Sequence, residues 1–218
     1  MIEMAKLPSW YTELEYITCN NSWIDLPTYG TQNTKIESKA LITSLSASKQ
    51  LFGSYTTTQG ANLTANFVIG ATWQFGSRIT NGIAISNYVT LNVPFIVKVN
   101  NQGGYINDIA VATGTTTDFT TTNTLRVGGA NGSSAPFVGD IYYYIQKDNG
   151  VLTYHLIPAK RKSDWVVWMY DTVNDVFYTN AWTWTFTAWP EVAIAWKGSY
   201  PKLLSVKGVA HEPDRCFS

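Results

Sequence analysis

"GDIYYYIQKDNGVLTYHLIP", residues Gly139–Pro158, reads as two strands, "GDIYYYIQ" and "VLTYHLIP", folded back on each other at the turn "KDNG". β-Branched and aromatic residues fill both arms, and the polar turn between them is short enough for a hairpin. Alternation places Tyr142 and Tyr144 on one face and Tyr143 on the other, so at least one hydroxyl reaches the surface or a partner.

The same pattern extends in both directions. Upstream, Ile36, Ser38, Ala40 and Ile42 alternate with Glu37, Lys39 and Leu41, as in a half-buried strand. "ANFVIGATW" (65–73) and "GIAIS" (82–86) are further candidates. "YVTLNVPFIVKVN" (88–100) reads as two strand pieces, because Pro94 cannot donate in a central ladder. The glycine pair of "NNQGGYIND" is then a hairpin turn, with "YINDIAVAT" (105–113) returning. Downstream come "WVVWMYD", a turn through Asn174 and Asp175, "VFYTN", and finally "WTWTFTA" (182–188). More than ten short strands at this spacing predict an all-β, two-sheet antiparallel sandwich of the jelly-roll kind. No repeat or linker divides residues 1–193, which form one domain, and 194–218 read as a C-terminal appendage.

Composition agrees. Charged residues make up 14% of the 218, against about 25% in an ordinary domain, and aromatics another 14%. A formal net charge of +0 argues against phosphate neutralisation, so no nucleic-acid partner is expected. "KRK" at Lys160–Lys162 reads as a solvated loop rather than a polyanion site. The opening "MIEMAKLPSWY" lacks a signal-peptide apolar run, and no later stretch suits a membrane span. Cys19 and Cys216 could pair, because chain ends often meet, but two unpaired structural thiols are the preferred reading.

Enzyme signatures are sparse, and no catalytic role is expected. His155 and His211 are the only histidines, too few for a multi-histidine metal site. His155, set among apolar neighbours, reads as a satisfied, half-buried side chain. Glu13 and Glu15 share one face of a strand, the arrangement a glycosidase pair could use, although surface charge is the commoner role. Asn107 with Asp108, and Asp148 with Asn149, offer Ca²⁺-ligand chemistry but match ordinary Asx turns better. No cofactor is therefore expected.

Several phrases carry a resemblance: "LPSWYTELEYI", "NNSWIDLPTY", "NTKIESKALIT", "LFGS", "FVGDIYYYIQKDNGVLTYHLIPAKRKSD" and, most specific, "MYDTVNDVFYTNA". Together they resemble the concanavalin A-like, or laminin-G-like, jelly-roll domains of phage and bacterial surface proteins, from about Leu7 to Val192. The resemblance implies a non-catalytic module of a virion or an extracellular surface. Its expected partners are glycans of a host cell surface and other virion subunits, met in multiple copies. The alternative it leaves open is a structural decoration protein that contacts other subunits and binds no sugar.

The resemblance also bears on the tryptophans. The family pattern reads K-S-D-G-x-x-G-M-Y-D and N-A-G-T-G-T-F-T-A-G-P. Trp165, Trp168, Trp182, Trp184 and Trp189 stand at its glycines, as does Trp10, which accounts for six of the nine tryptophans. UGA differs by one base from the glycine codon GGA, and some bacterial lineages and their phages read UGA as glycine. Reading such codons as Trp would produce this uniform exchange. The row Trp182, Trp184 and Phe186 also suits a sugar-stacking platform or, more commonly, a packed core face. Among aromatics free of that ambiguity, Trp23, Trp73, Tyr142 and Tyr144 are the candidate ligand-binding residues.

Overall fold

The computed structural model describes residues 7–43, 49–54, 63–67, 73–75, 79–81, 88–100, 103–113, 118–132, 137–179, 186–188 and 190. Among them are seventeen strands and no helix. Eleven strands build the large sheet: β1 (Tyr11–Glu13), β2 (Ile17–Asn20), β4 (Thr34–Ile42), β9 (Phe95–Asn100), β10 (Gly103–Ile106), β11 (Ile109–Thr113), β13 (Val138–Asp148), β14 (Val151–Arg161), β15 (Val167–Asp171), β16 (Val176–Tyr178) and β17 (Thr187–Ala188). Its main path runs β11-β10-β9-β4-β13-β14-β15-β16, with β1 on β14, β2 on β13 and β17 on β2. The small sheet follows the order β3 (Ile24–Thr31), β12 (Thr120–Val127), β5 (Lys49–Ser54), β6 (Leu63–Phe67), β7 (Trp73–Phe75) and β8 (Ile79–Asn81). Strand pairs in both sheets are antiparallel, and the two-sheet sandwich they form is compatible with a jelly roll.

The core lies between the sheets. Ile36, Ala40 and Ile42 of β4, Val97 and Val99 of β9, and Ile141 and Leu156 of the central hairpin face Ile24, Leu26, Leu51, Phe52, Leu125 and Val127. Phe52 of the small sheet meets Tyr144 of the large one edge-on, ring centroids 5.9 Å apart. In β4 alternate residues are buried as the period-two reading requires. Cys19 is fully buried and burial raises its thiol pKa, while Cys216 lies outside the described residues. His155 is nearly buried, its Nδ1 2.8 Å from Thr172 Oγ1, and burial lowers its pKa despite the opposing pull of Asp171.

Other sequence expectations are corrected. "YINDIAVAT" is two strands, because Asn107 and Asp108 adopt φ of 48° and 65° and turn the chain between β10 and β11. Asn and Asp tolerate that region better than most residues. Gly103 and Gly104 are not turn residues: they begin β10 and pair with Asn100 and Val99 of β9. The segment 88–94 is turn and bend, with only β9 extended. "ANFVIGATW" contributes to β6 and β7, whereas "GIAIS" lies outside the described residues. Of "WTWTFTA", Phe186–Ala188 are described; Phe186 is buried and β17 pairs with β2, and Trp182, Trp184 and Trp189 lie outside.

Trp165 stands apart. Among the described residues, seven non-glycine residues have positive φ, six of them Asn or Asp; the seventh is Trp165, at 62° in the β14–β15 turn. Its indole is 67% exposed, with Lys160 Nζ 4.7 Å over the ring. A bulky residue in the left-handed region carries a steric cost of about 1–2 kcal/mol that glycine does not. Trp165→Gly is therefore expected to raise stability by about 1 kcal/mol, read as a higher thermal midpoint; an unchanged or lower midpoint would contradict a glycine-adapted backbone at this turn.

Candidate functional site

The site is built on the solvent face of the large sheet, where β2, β13 and β4 lie side by side. Ile17 and Cys19 of β2 point into the core, so Thr18 faces outward. Thr18 lies opposite Asp140, and Asp140 opposite Leu41, which forms a lateral row across three strands. Thr18 Oγ1 donates to Asp140 Oδ1 at 2.7 Å.

One register shift sets the aromatic part of the face. Ile141 pairs with Ala40 and Tyr143 with Lys39, so Tyr142 is an extra residue in β13, a β-bulge. The alternation expected from sequence therefore breaks at Tyr142. Tyr142 and Tyr143 are both half-buried, while Tyr144 is fully buried. Tyr142 lies 5.0 Å centroid to centroid from Tyr16 and carries Lys39 Nζ 4.4 Å from its ring centre. Beside them Tyr143 Oη donates to Glu37 Oε1 at 2.8 Å, and Lys98 joins Glu37 to Asp108 at 3.7 and 2.6 Å.

Electrostatics follow from this half-buried setting. Burial raises the Asp140 carboxyl pKa, and the Thr18 hydrogen bond partly offsets the shift. The Tyr16 and Tyr142 phenols are raised as well, first by burial and then by the Asp140 carboxylate. Both stay neutral donors around neutral pH. The face thus combines two adjacent rings, hydroxyls and an ammonium, with the Thr18 hydroxyl held by the nearly buried Asp140 carboxylate. Such a set can stack an apolar ring face and hydrogen-bond the groups around it.

The four candidate residues do not converge. Tyr142 belongs to this face. Tyr144 is a core residue: it packs on Phe52 and its hydroxyl donates to Gln146 Oε1 at 2.8 Å. The bulge at Tyr142 is what turns Tyr144 inward, so its candidacy as a surface ligand residue is withdrawn. Trp23 sits with the small sheet, its ring 4.5 Å from the guanidinium of Arg126, which is itself held by Asp25. Trp73 opens β7 of that same sheet.

Sequence reasoning missed Tyr16, Thr18, Lys39 and Asp140. It also missed a second aromatic cluster on the same face, around β1, β15 and β16. There Tyr11 stacks on Phe177 at 4.6 Å with planes 12° apart, and Tyr170 lies 5.4 Å from Tyr11. Trp168 stands 5.8 Å from Phe177, with its indole N–H buried and without a hydrogen-bond partner among the described residues. Trp10 is 61% exposed. The "KRK" cations are structural here and not a free loop. Lys160 and Arg161 close β14, Arg161 pairs with Asp164, and Lys162 Nζ donates to Ser9 O at 2.7 Å.

The remaining acidic candidates have local roles. Asn107 Oδ1 accepts from the Ile96 amide at 2.9 Å, and Asn149 and Gly150 form the positive-φ corner of the central hairpin. Asp148 accepts from Thr34, Gln146 and Thr153 at 2.6–2.8 Å. Glu13 and Glu15 are both exposed and flank the buried Leu14.

No protein-family model matches the chain, and no curated protein matches it.

Proposed function

We propose that the chain is a non-catalytic module of a phage virion or bacterial surface that recognises glycans and serves attachment. The observation that carries this reading is the Tyr16–Tyr142 pair on the open face of the large sheet, beside Thr18, Asp140 and Lys39. Ring faces of sugars offer C–H groups to aromatic side chains, and their hydroxyls pair with protein hydroxyls such as that of Thr18. The resemblance of Leu7–Val192 to concanavalin A-like and laminin-G-like jelly rolls supports the same role, and so does the sandwich architecture. Shallow faces of this kind bind weakly, so display in multiple copies supplies avidity.

The exposed Trp10, Ile109, Val151 and Val176 favour a second reading, a virion decoration protein whose sandwich packs against other subunits. A glycan array probed with the multivalent protein separates the two. Binding that falls about tenfold in Tyr142→Ala, with the thermal midpoint kept, supports attachment. An array without a single hit would leave the decoration role.

A further inference from the structure

The two aromatic clusters share one face of one sheet, and the chain segment joining them is short. Tyr11 lies opposite Arg161 on β14, with its ring on Phe177. Tyr16 precedes β2 and meets Tyr142. Four residues, Thr12 to Glu15, separate Tyr11 from Tyr16, so the two Cα atoms are at most about 17 Å apart. Between the clusters the exposed side chains are Glu13 and Glu15, with the intervening Leu14 turned into the core. Leu14 N donates to Pro158 O at 3.0 Å and Glu15 N to Pro190 O at 2.9 Å, so this stretch is tied to the body on both sides.

We infer that this face is an extended track for a linear, uncharged oligosaccharide, with Tyr11/Phe177 and Tyr16/Tyr142 as two stacking subsites and Glu13 and Glu15 as hydroxyl acceptors between them. The inference rests on the glycan reading above and specifies its ligand. Two aromatic subsites separated by polar groups suit a chain of several pyranose rings, since one sugar cannot reach both. Carboxylates in the middle accept hydrogen bonds from hydroxyls but repel uronates, sialates and sulfated sugars. Lys39 is held over the Tyr142 ring, and Arg161 is paired with Asp164, so the flanking cations are already engaged.

The test is titration calorimetry of the full chain with neutral oligosaccharides of increasing length and with uronate-containing chains of equal length. Affinity is expected to rise with length until both subsites are filled. Tyr142→Ala and Phe177→Ala are each expected to cost about fivefold to tenfold for long chains. A disaccharide is expected to respond to only one of them. Glu13→Gln with Glu15→Gln, at exposed positions that leave the core intact, is expected to admit the acidic chains. Equal affinity at all lengths, or a preference of the unaltered protein for acidic chains, overturns the track. Absence of binding to every glycan overturns the attachment reading itself.

Discussion

Gly139→Ala is expected to destabilise the sandwich by about 3 kcal/mol or more, enough to unfold much of the population of a marginal domain. Gly139 has φ of 151°, a region L side chains rarely occupy, and its strand lies between β2 and β4. A Cβ there would overlap the Leu41 carbonyl oxygen and approach the Phe137 ring to 3.0 Å. Neither neighbour yields easily. The carbonyl belongs to a paired strand, and the Phe137 side chain is completely buried. Strain and overpacking therefore act together. Chemical denaturation should show a lower midpoint with an unchanged slope, and an unfolding free energy within about 0.5 kcal/mol of the parent would refute the close approach. Gly150 is the control: its φ is 80°, but nothing lies within 4 Å of an added Cβ, so Gly150→Ala carries the backbone cost alone.

Phe52→Ala is expected to cost about 3–5 kcal/mol, the usual range for an aromatic lost from a packed core. Phe52 is fully buried on β5 and carries the contact to Tyr144 across the two sheets. Truncation removes apolar surface and leaves a cavity that strands on both sides are too rigid to fill. Tyr144→Phe provides the comparison. It keeps the ring contact but leaves the buried Gln146 without the hydroxyl donor, a loss of about 1–3 kcal/mol. If the two variants unfolded at the same denaturant concentration, the inter-sheet ring contact would not hold the stability assigned to it.

How far local signals reach is visible in the central hairpin. Its arms and its Asn149-Gly150 corner were legible because period-two alternation and turn chemistry involve only near neighbours. β4 was legible for the same reason. Which tyrosine faces water was not. The bulge at Tyr142 arises where Ile141 pairs with Ala40 and Tyr143 with Lys39, on a strand about a hundred residues earlier in the chain. The "YINDIAVAT" stretch misled in the opposite way, since its apolar residues outweighed the two turn formers at its centre. Trp165 joined both kinds of information. Its glycine-like position came from the resemblance, and its φ of 62° comes from the fold.

The sequence by itself determined the all-β class, the central hairpin and the weight of aromatic residues over charged ones, because composition and short-range periodicity are properties of the chain before it folds. Only the tertiary structure decided that Tyr16 meets Tyr142, that Thr18 holds Asp140 and that Tyr144 is buried. Those outcomes depend on pairing register between distant strands, where a shift of one residue carries a side chain from water to core.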